Sequence, residues 1–113
     1  MKSHTLKENK DFRRVYYKAK SKVSPNLVTY ALKNREKVCR IGITTSKKTG
    51  NAVRRNRSRR VIRAAFYQLE NRVSGNWDIV FVARSCTSKV KMQDVLSDME
   101  KQLASLGVIN EKD

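Results

Sequence analysis

The chain has 113 residues, enough for one domain with one modest core and little room for a second. Its 26 Lys and Arg against 10 Asp and Glu leave a net charge of +16, a self-repulsion that a polyanionic partner would offset, nucleic acid ahead of an anionic membrane surface. No apolar run approaches the roughly 20 residues of a membrane span, and "MKSHTLKENKDF" lacks the apolar centre of a secretion signal, so a cytoplasmic protein without membrane attachment is expected.

Residues 9–19, "NKDFRRVYYKA", predict a first helix. Phe12, Val15, Tyr16 and Ala19 form one stripe. Asn9 is the expected N-cap with Asp11 in the first turn, and Thr5 with Glu8 offers an earlier capping box. "SKVSPN" interrupts the pattern, with room for a small strand near 21–24. The segments 27–33, "LVTYALK", and 38–46, "VCRIGITTS", both alternate, and an antiparallel hairpin between them is expected. A second helix spans about 52–70. After the turn "SGN", the run "WDIVFVA" at 77–83 reads as a central strand buried on both faces. The last helix covers about 90–106, with Met92, Val95, Leu96, Met99, Leu103 and Leu106 on one stripe and Gly107 as terminator. A tail over 107–113 is expected to fray. The order α-β-β-α-β-α suits one twisted, mostly antiparallel sheet with packed helices, an α+β fold in which the strands at 38–45 and 77–83 are candidates for parallel pairing.

The second helix carries the densest charge. "GNAVRRNRSRRVIRAAF" holds Arg54, Arg55, Arg57, Arg59, Arg60 and Arg63, and no acid occurs from Lys47 through Gln68. Helix N-termini favour anions, and like charges four apart repel, so the pattern is unfavourable alone. Ser58, Ile62, Ala65, Phe66 and Leu69 fall on a core side, and Asn56, Arg60 and Arg63 project together opposite, with Arg57 beside them. Arg55 and Arg59 lie nearer the core side and can snorkel. Solvated faces usually mix signs; this one does not, and phosphate binding follows. The helix start with Gly50 offers a possible phosphate cradle. Phe12, Tyr16, Tyr17 and Tyr30 mix with basic residues, as in proteins that stack unpaired bases, although Phe12 and Tyr16 also fit a core stripe.

Catalytic groups are sparse. His4 is the one histidine, and the sequence lacks a P-loop or a serine–histidine–acid grouping. Cys39 and Cys86 are far apart, so two reduced thiols in or near strands are expected rather than a zinc site. Asp94, Asp98 and Glu100 read as a solvated helix face. A structural, ribosomal-type RNA-binding protein, a duplex-DNA binder and a stand-alone nuclease are the competing classes.

"SKKTGNAVRRNRSRRVIRAAF", residues 46–66, resembles the signature of the bacterial ribonuclease P protein subunit, with Arg55, Asn56 and Arg57 as its Arg-Asn-Arg core. "NKDFRRVY", "LVTYAL" and "WDIVFVAR" are similar to the family's first helix, first long strand and last strand, so the resemblance spans roughly 6–105. It implies a partner of a large catalytic RNA that removes the 5′ leader of precursor tRNA by metal-dependent hydrolysis. It places the active site in the RNA and Mg2+ mainly on RNA and substrate, and it implies no obligate protein partner. It assigns Phe12, Tyr16 and Tyr30 to a leader-binding cleft, and Lys47, Lys48, Asn51, Arg55, Asn56, Arg57, Arg60 and Arg63 to an RNA-binding strip. Arg54 and Arg59 fall at charged but more variable positions. It also implies a left-handed β-α-β crossover, against the usual rule. Tyr16 stands where the family often has phenylalanine, and the segment before Phe12 is short and less basic than in many members.

Overall fold

The structure, a computed structural model, describes residues 3–36 and 38–110, with the backbone alone at Lys47. Among the described residues three α-helices and five strands follow one another as β1 His4–Thr5, α1 Asn9–Lys18, β2 Lys20–Ser24, β3 Leu27–Lys33, β4 Arg40–Thr44, α2 Ala52–Leu69, β5 Trp77–Ala83 and α3 Met92–Ser105. The strands form one open sheet in the order β1-β4-β5-β3-β2. The ladders β2–β3 and β3–β5 are antiparallel, with five and seven residue pairs, and the ladders β4–β5 and β1–β4 are parallel, with five and two, so the sheet is mostly antiparallel.

The hairpin expected between 27–33 and 38–46 does not form. The two strands run in opposite directions, but β5 lies between them and pairs with both. Six of the seven β5 residues are buried. A strand apolar on both faces gains most where both edges are paired and both faces covered, and that gain outweighs local closure of a hairpin. The two-residue strand β1 has too little pattern to be seen in sequence; it is held by pairing to β4 and by the Leu6 amide donating to the Ile41 carbonyl at 2.8 Å. The first helix starts at Asn9 itself, so Asn9 is not the cap; Glu8 occupies that position without a side-chain bond.

Register assigns the two sheet faces, because cross-strand partners share a side. One face carries Ile41, Ile79, Phe81, Leu27 and Ala31, and α2 and α3 cover it with Ile62, Ala65, Phe66, Leu69, Val95, Met99 and Leu103. Gln102, buried in α3, donates to the carbonyls of Lys22 and Leu27 and to Ser24 Oγ, and accepts from Thr29 Oγ1, tying α3 to the β2–β3 turn. The acids of α3 are not merely solvated: Asp94 accepts from the Lys91 amide, Asp98 from the Asn26 amide, and Glu100 pairs with Arg72 at 2.6 Å. The segment after α3 does not fray through Asn110. Val108 and Ile109 are buried, the Ser74 amide donates to the Val108 carbonyl, and Val73 bridges Ile109, because two more apolar side chains cover the end of the core. The rest of the expected tail, 111–113, lies outside the described residues. Cys39 is buried and Cys86 half-buried, both as free thiols; burial pushes the Cys39 thiol up to about 11.

The opposite face carries Arg40, Gly42 and Thr44 from β4, Asp78, Val80 and Val82 from β5, and Leu32, Tyr30 and Val28 from β3. Helix α1 lies over this face, with Val15 fully buried against Val80 and with Phe12, Ala19, Tyr30 and Leu32 around them. Asp78 has no solvent exposure and receives Arg14 from α1, Arg40 from β4 at 2.8 and 2.9 Å, and the Asn34 amide at 2.7 Å. Burial by itself would push this carboxyl up. The hydrogen bonds from Arg40 and Asn34 and the charges of Arg40 and Arg14 overcome that and hold it below the usual carboxylate range.

A depressed native pKa means that the bound, ionised form stabilises the fold above the unfolded value of about 3.9 and that this contribution fades as pH falls through the native value. Asp78→Asn is therefore expected to destabilise the chain by about 3 kcal/mol near neutral pH, since it leaves two guanidinium groups without their shared carboxylate. In denaturant titrations the gap between the two proteins should narrow below about pH 4; a gap independent of pH would mean that packing, not charge, is lost.

Candidate nucleic-acid interface

The basic strip and the aromatic residues meet at one end of the sheet. α1 crosses the sheet face, and its two sides differ. One side, with Asp11, Arg14 and Lys18, looks onto the charged network around Asp78 and Arg40. The other, with Asn9, Phe12, Arg13 and Tyr16, forms with Thr44 a mostly apolar groove of about 400 Å³.

The groove is built by a missing side chain. A Cβ at Gly42 would stand 2.5 and 2.6 Å from the Phe12 ring, so the ring rests directly on the β4 backbone. Tyr16 is 40% exposed, packs edge-on to Tyr30 with ring centroids 5.0 Å apart and lies within 3.2 Å of Thr44 Oγ1 through its hydroxyl. The three predicted aromatic residues are thus brought together: Phe12 half-buried as floor, Tyr30 half-buried as support, Tyr16 with part of its ring open to solvent. The core and surface readings of the α1 stripe both hold, because Val15 faces the sheet and Tyr16 its margin.

Helix α2 begins one short connection after Thr44. Asn51 caps it, its Oδ1 accepting from the Arg54 amide at 3.0 Å. The expected phosphate cradle is altered in two ways. The cap occupies one first-turn amide, and the Arg54 side chain lies over Gly50, whose φ of +124° only glycine adopts readily. Ser58, Ile62, Ala65, Phe66 and Leu69 are buried as expected, and Val61 is buried beside them. Lys48, Asn51, Asn56, Arg57, Arg60 and Arg63 are exposed and Arg55 is half-exposed; the Lys47 side chain lies outside the described residues. Arg57 also donates through Nε to the Ser88 carbonyl at 2.8 Å, so this exposed arginine fixes α2 to the segment after β5. Arg59 reaches the sheet edge as expected, donating to Thr45 Oγ1 at 3.0 Å and Asn56 Oδ1 at 3.1 Å. None of the α2 arginines forms an ion pair among the described residues.

A small α+β scaffold that sets an acid-free arginine face beside an aromatic groove defines a protein shaped for a polyanion with unpaired rings. The family model for Ribonuclease P matches residues 1–107. A ribonuclease P protein component from Clostridium botulinum is 35% identical over 97% of this chain and all of its own length, and one from Clostridioides difficile is 41% identical over 80% of each. The solved RNase P protein of Staphylococcus aureus superposes with a TM-score of 0.83 at 34% identity, covering 96% of this chain and all of that one. The chain belongs to the ribonuclease P protein family. Its role is that of the protein component in tRNA 5′ processing, alongside the RNase P RNA. No helix among the described residues is long and apolar enough to cross a membrane.

Two outcomes follow from this geometry. Gly42→Ala should displace the Phe12 ring, lowering stability by about 1–3 kcal/mol, and the combined Gly42→Ala, Phe12→Ala chain should recover part of that loss in thermal melts. Sulfate should raise the melting temperature more than chloride at equal ionic strength, because bound anions relieve the α2 face; equal shifts would reduce the effect to general screening.

Proposed function

We propose that the exposed face of α2 binds the catalytic RNA of ribonuclease P while the groove beside α1 holds the 5′ leader of precursor tRNA. The observation that carries this reading is the adjacency of the two surfaces: Thr44 lines the groove, and Arg59 of α2 is bonded to the next residue, Thr45. Catalytic RNA on the strip and leader in the groove are thereby held side by side, phosphates against arginines and unpaired bases against ring faces. Arg55, Asn56, Arg57, Arg60 and Arg63, with Lys47, Lys48 and Asn51, serve the phosphates, where guanidinium forks give paired hydrogen bonds. Tyr16 offers its open ring to a leader base, and Phe12 and Tyr30 fix its position; such stacking contributes about 1–3 kcal/mol per base.

Hydrolysis in this reading is the work of the RNA. The chain supplies positioning, and Mg2+ is held mainly by RNA and substrate. Among the described residues no three His, Cys, Asp or Glu side chains gather into a metal site. The setting is the cytoplasm.

The test is cleavage of a precursor tRNA at low magnesium by the catalytic RNA, alone and with this chain. Accurate 5′ cleavage should be restored by the protein. Tyr16→Ala should weaken binding of leader-bearing substrate roughly 5- to 150-fold and leave mature tRNA binding unchanged. If the protein binds the RNA and cleavage is unaltered, the chain is a structural RNA-binding protein of the ribosomal kind and the groove has no part in processing.

A further inference from the structure

The arginine face of α2 does not end at Arg63. Seven-residue steps return a helix to within about 20° of the same line, so Val53, Arg60 and Tyr67 lie on one line, with Asn56 and Arg63 on one flank and Arg57 and Ala64 on the other. All seven are exposed. Tyr67 is 58% exposed, stands about 10 Å along the helix from Arg60 and one turn beyond Arg63, and none of the positions assigned above includes it.

An exposed tyrosine alone is ordinary. This one differs in its surroundings. Among the described residues its ring has no aromatic or cationic partner and its hydroxyl makes no hydrogen bond. Ala64, one turn before it, is too small to cover it. Tyr67 is also the sole aromatic on a face whose charges are all positive. A second copy of a chain carrying +16 would be repelled from this face. A polynucleotide supplies both complements, phosphates for the arginines and a π-face for the ring. An A-form duplex hides its ring faces, whereas loops and bulges expose them to aromatic side chains.

We propose that Tyr67 stacks on an unpaired base of the catalytic RNA, extending the α2 contact surface past the arginine motif and giving it a non-ionic anchor. The proposal rests on the RNA-binding reading of α2 above, and the experiment separates the two. Binding of the full chain to the catalytic RNA is measured across a salt series for wild type, Tyr67→Ala, Tyr67→Phe and Arg60→Ala, with melting curves for each.

Tyr67→Ala should weaken binding roughly 5- to 150-fold with the salt slope unchanged, since no phosphate contact is lost. Tyr67→Phe should stay within about twofold of wild type because a phenyl ring still stacks. Arg60→Ala should lower the slope by about 0.9. All variants should melt like wild type, as both side chains are exposed. The proposal is overturned if Tyr67→Ala binds within twofold of wild type while Arg60→Ala weakens binding, or if Tyr67→Phe loses as much as alanine. If the wild type does not bind the catalytic RNA, or if Arg60→Ala changes nothing while Tyr67→Ala also changes nothing, the reading of α2 as an RNA face falls together with it.

Discussion

Asp78 is the constraint on which the placement of α1 depends. A carboxylate buried in the central strand of a sheet is unfavourable unless its oxygens are occupied. Here the occupants come from three separate parts of the chain: Arg14 on α1, Arg40 on β4 and Asn34 in the connection after β3. The small apolar cluster of Leu6, Val15 and Val80 would hold the helix on the sheet in many orientations. The Arg14 bond to Asp78, with Arg40 against Asp11 at 3.8 Å, selects one, in which the row Asn9, Phe12, Arg13 and Tyr16 faces Thr44. The groove is therefore a product of the polar network on the other side of the same helix.

The acids are distributed in a way that isolates the positive charge. Asp78, Asp11 and Glu8 are paired with cations around α1, Glu100 with Arg72, and Asp94, Asp98 and Glu70 accept from backbone amides of Lys91, Asn26 and Ser3. Asp78, Asp11, Asp98, Glu100 and Glu70 each join separate parts of the chain, while Glu8 and Asp94 act at the starts of α1 and α3. Among the described residues none pairs with an arginine of α2, so the arginine face keeps one sign. Steering of a polyanion benefits from such a one-signed region.

Much of this was legible in sequence because it depends on periodicity. The two long helices and the division of α2 into core and arginine faces follow from which residues repeat at 3.6, the buried strand at 77–83 from its continuous apolar run, and the candidate parallel relation of β4 and β5 from the strand–helix–strand order. What stayed hidden depends on pairing between distant residues. β5 inserting between β3 and β4 is a choice among sheet orders that share the same alternation. Gln102 and Asp98 look like ordinary polar helix residues until the β2–β3 turn is laid against them. The arrangement of Phe12 over Gly42 needs the fold, since a glycine in a strand reads only as a close approach by something unnamed. Residue roles in the strip came from the family resemblance; spacing alone placed Asn56, Arg60 and Arg63 together and left Tyr67 unremarked.

The contact between Phe12 and Gly42 couples the shape of the groove to a fixed volume. Ring and backbone share one space, so a larger residue at 42 demands a smaller one at 12, and the two positions form a reciprocal pair. Neither position belongs to the large core on the opposite face of the sheet. Depth and width of the groove can thus be traded between one helix residue and one strand residue while the layer that carries most of the stability keeps its packing. A scaffold partitioned in this manner lets the recognition surface drift in shape under selection without dragging the fold along.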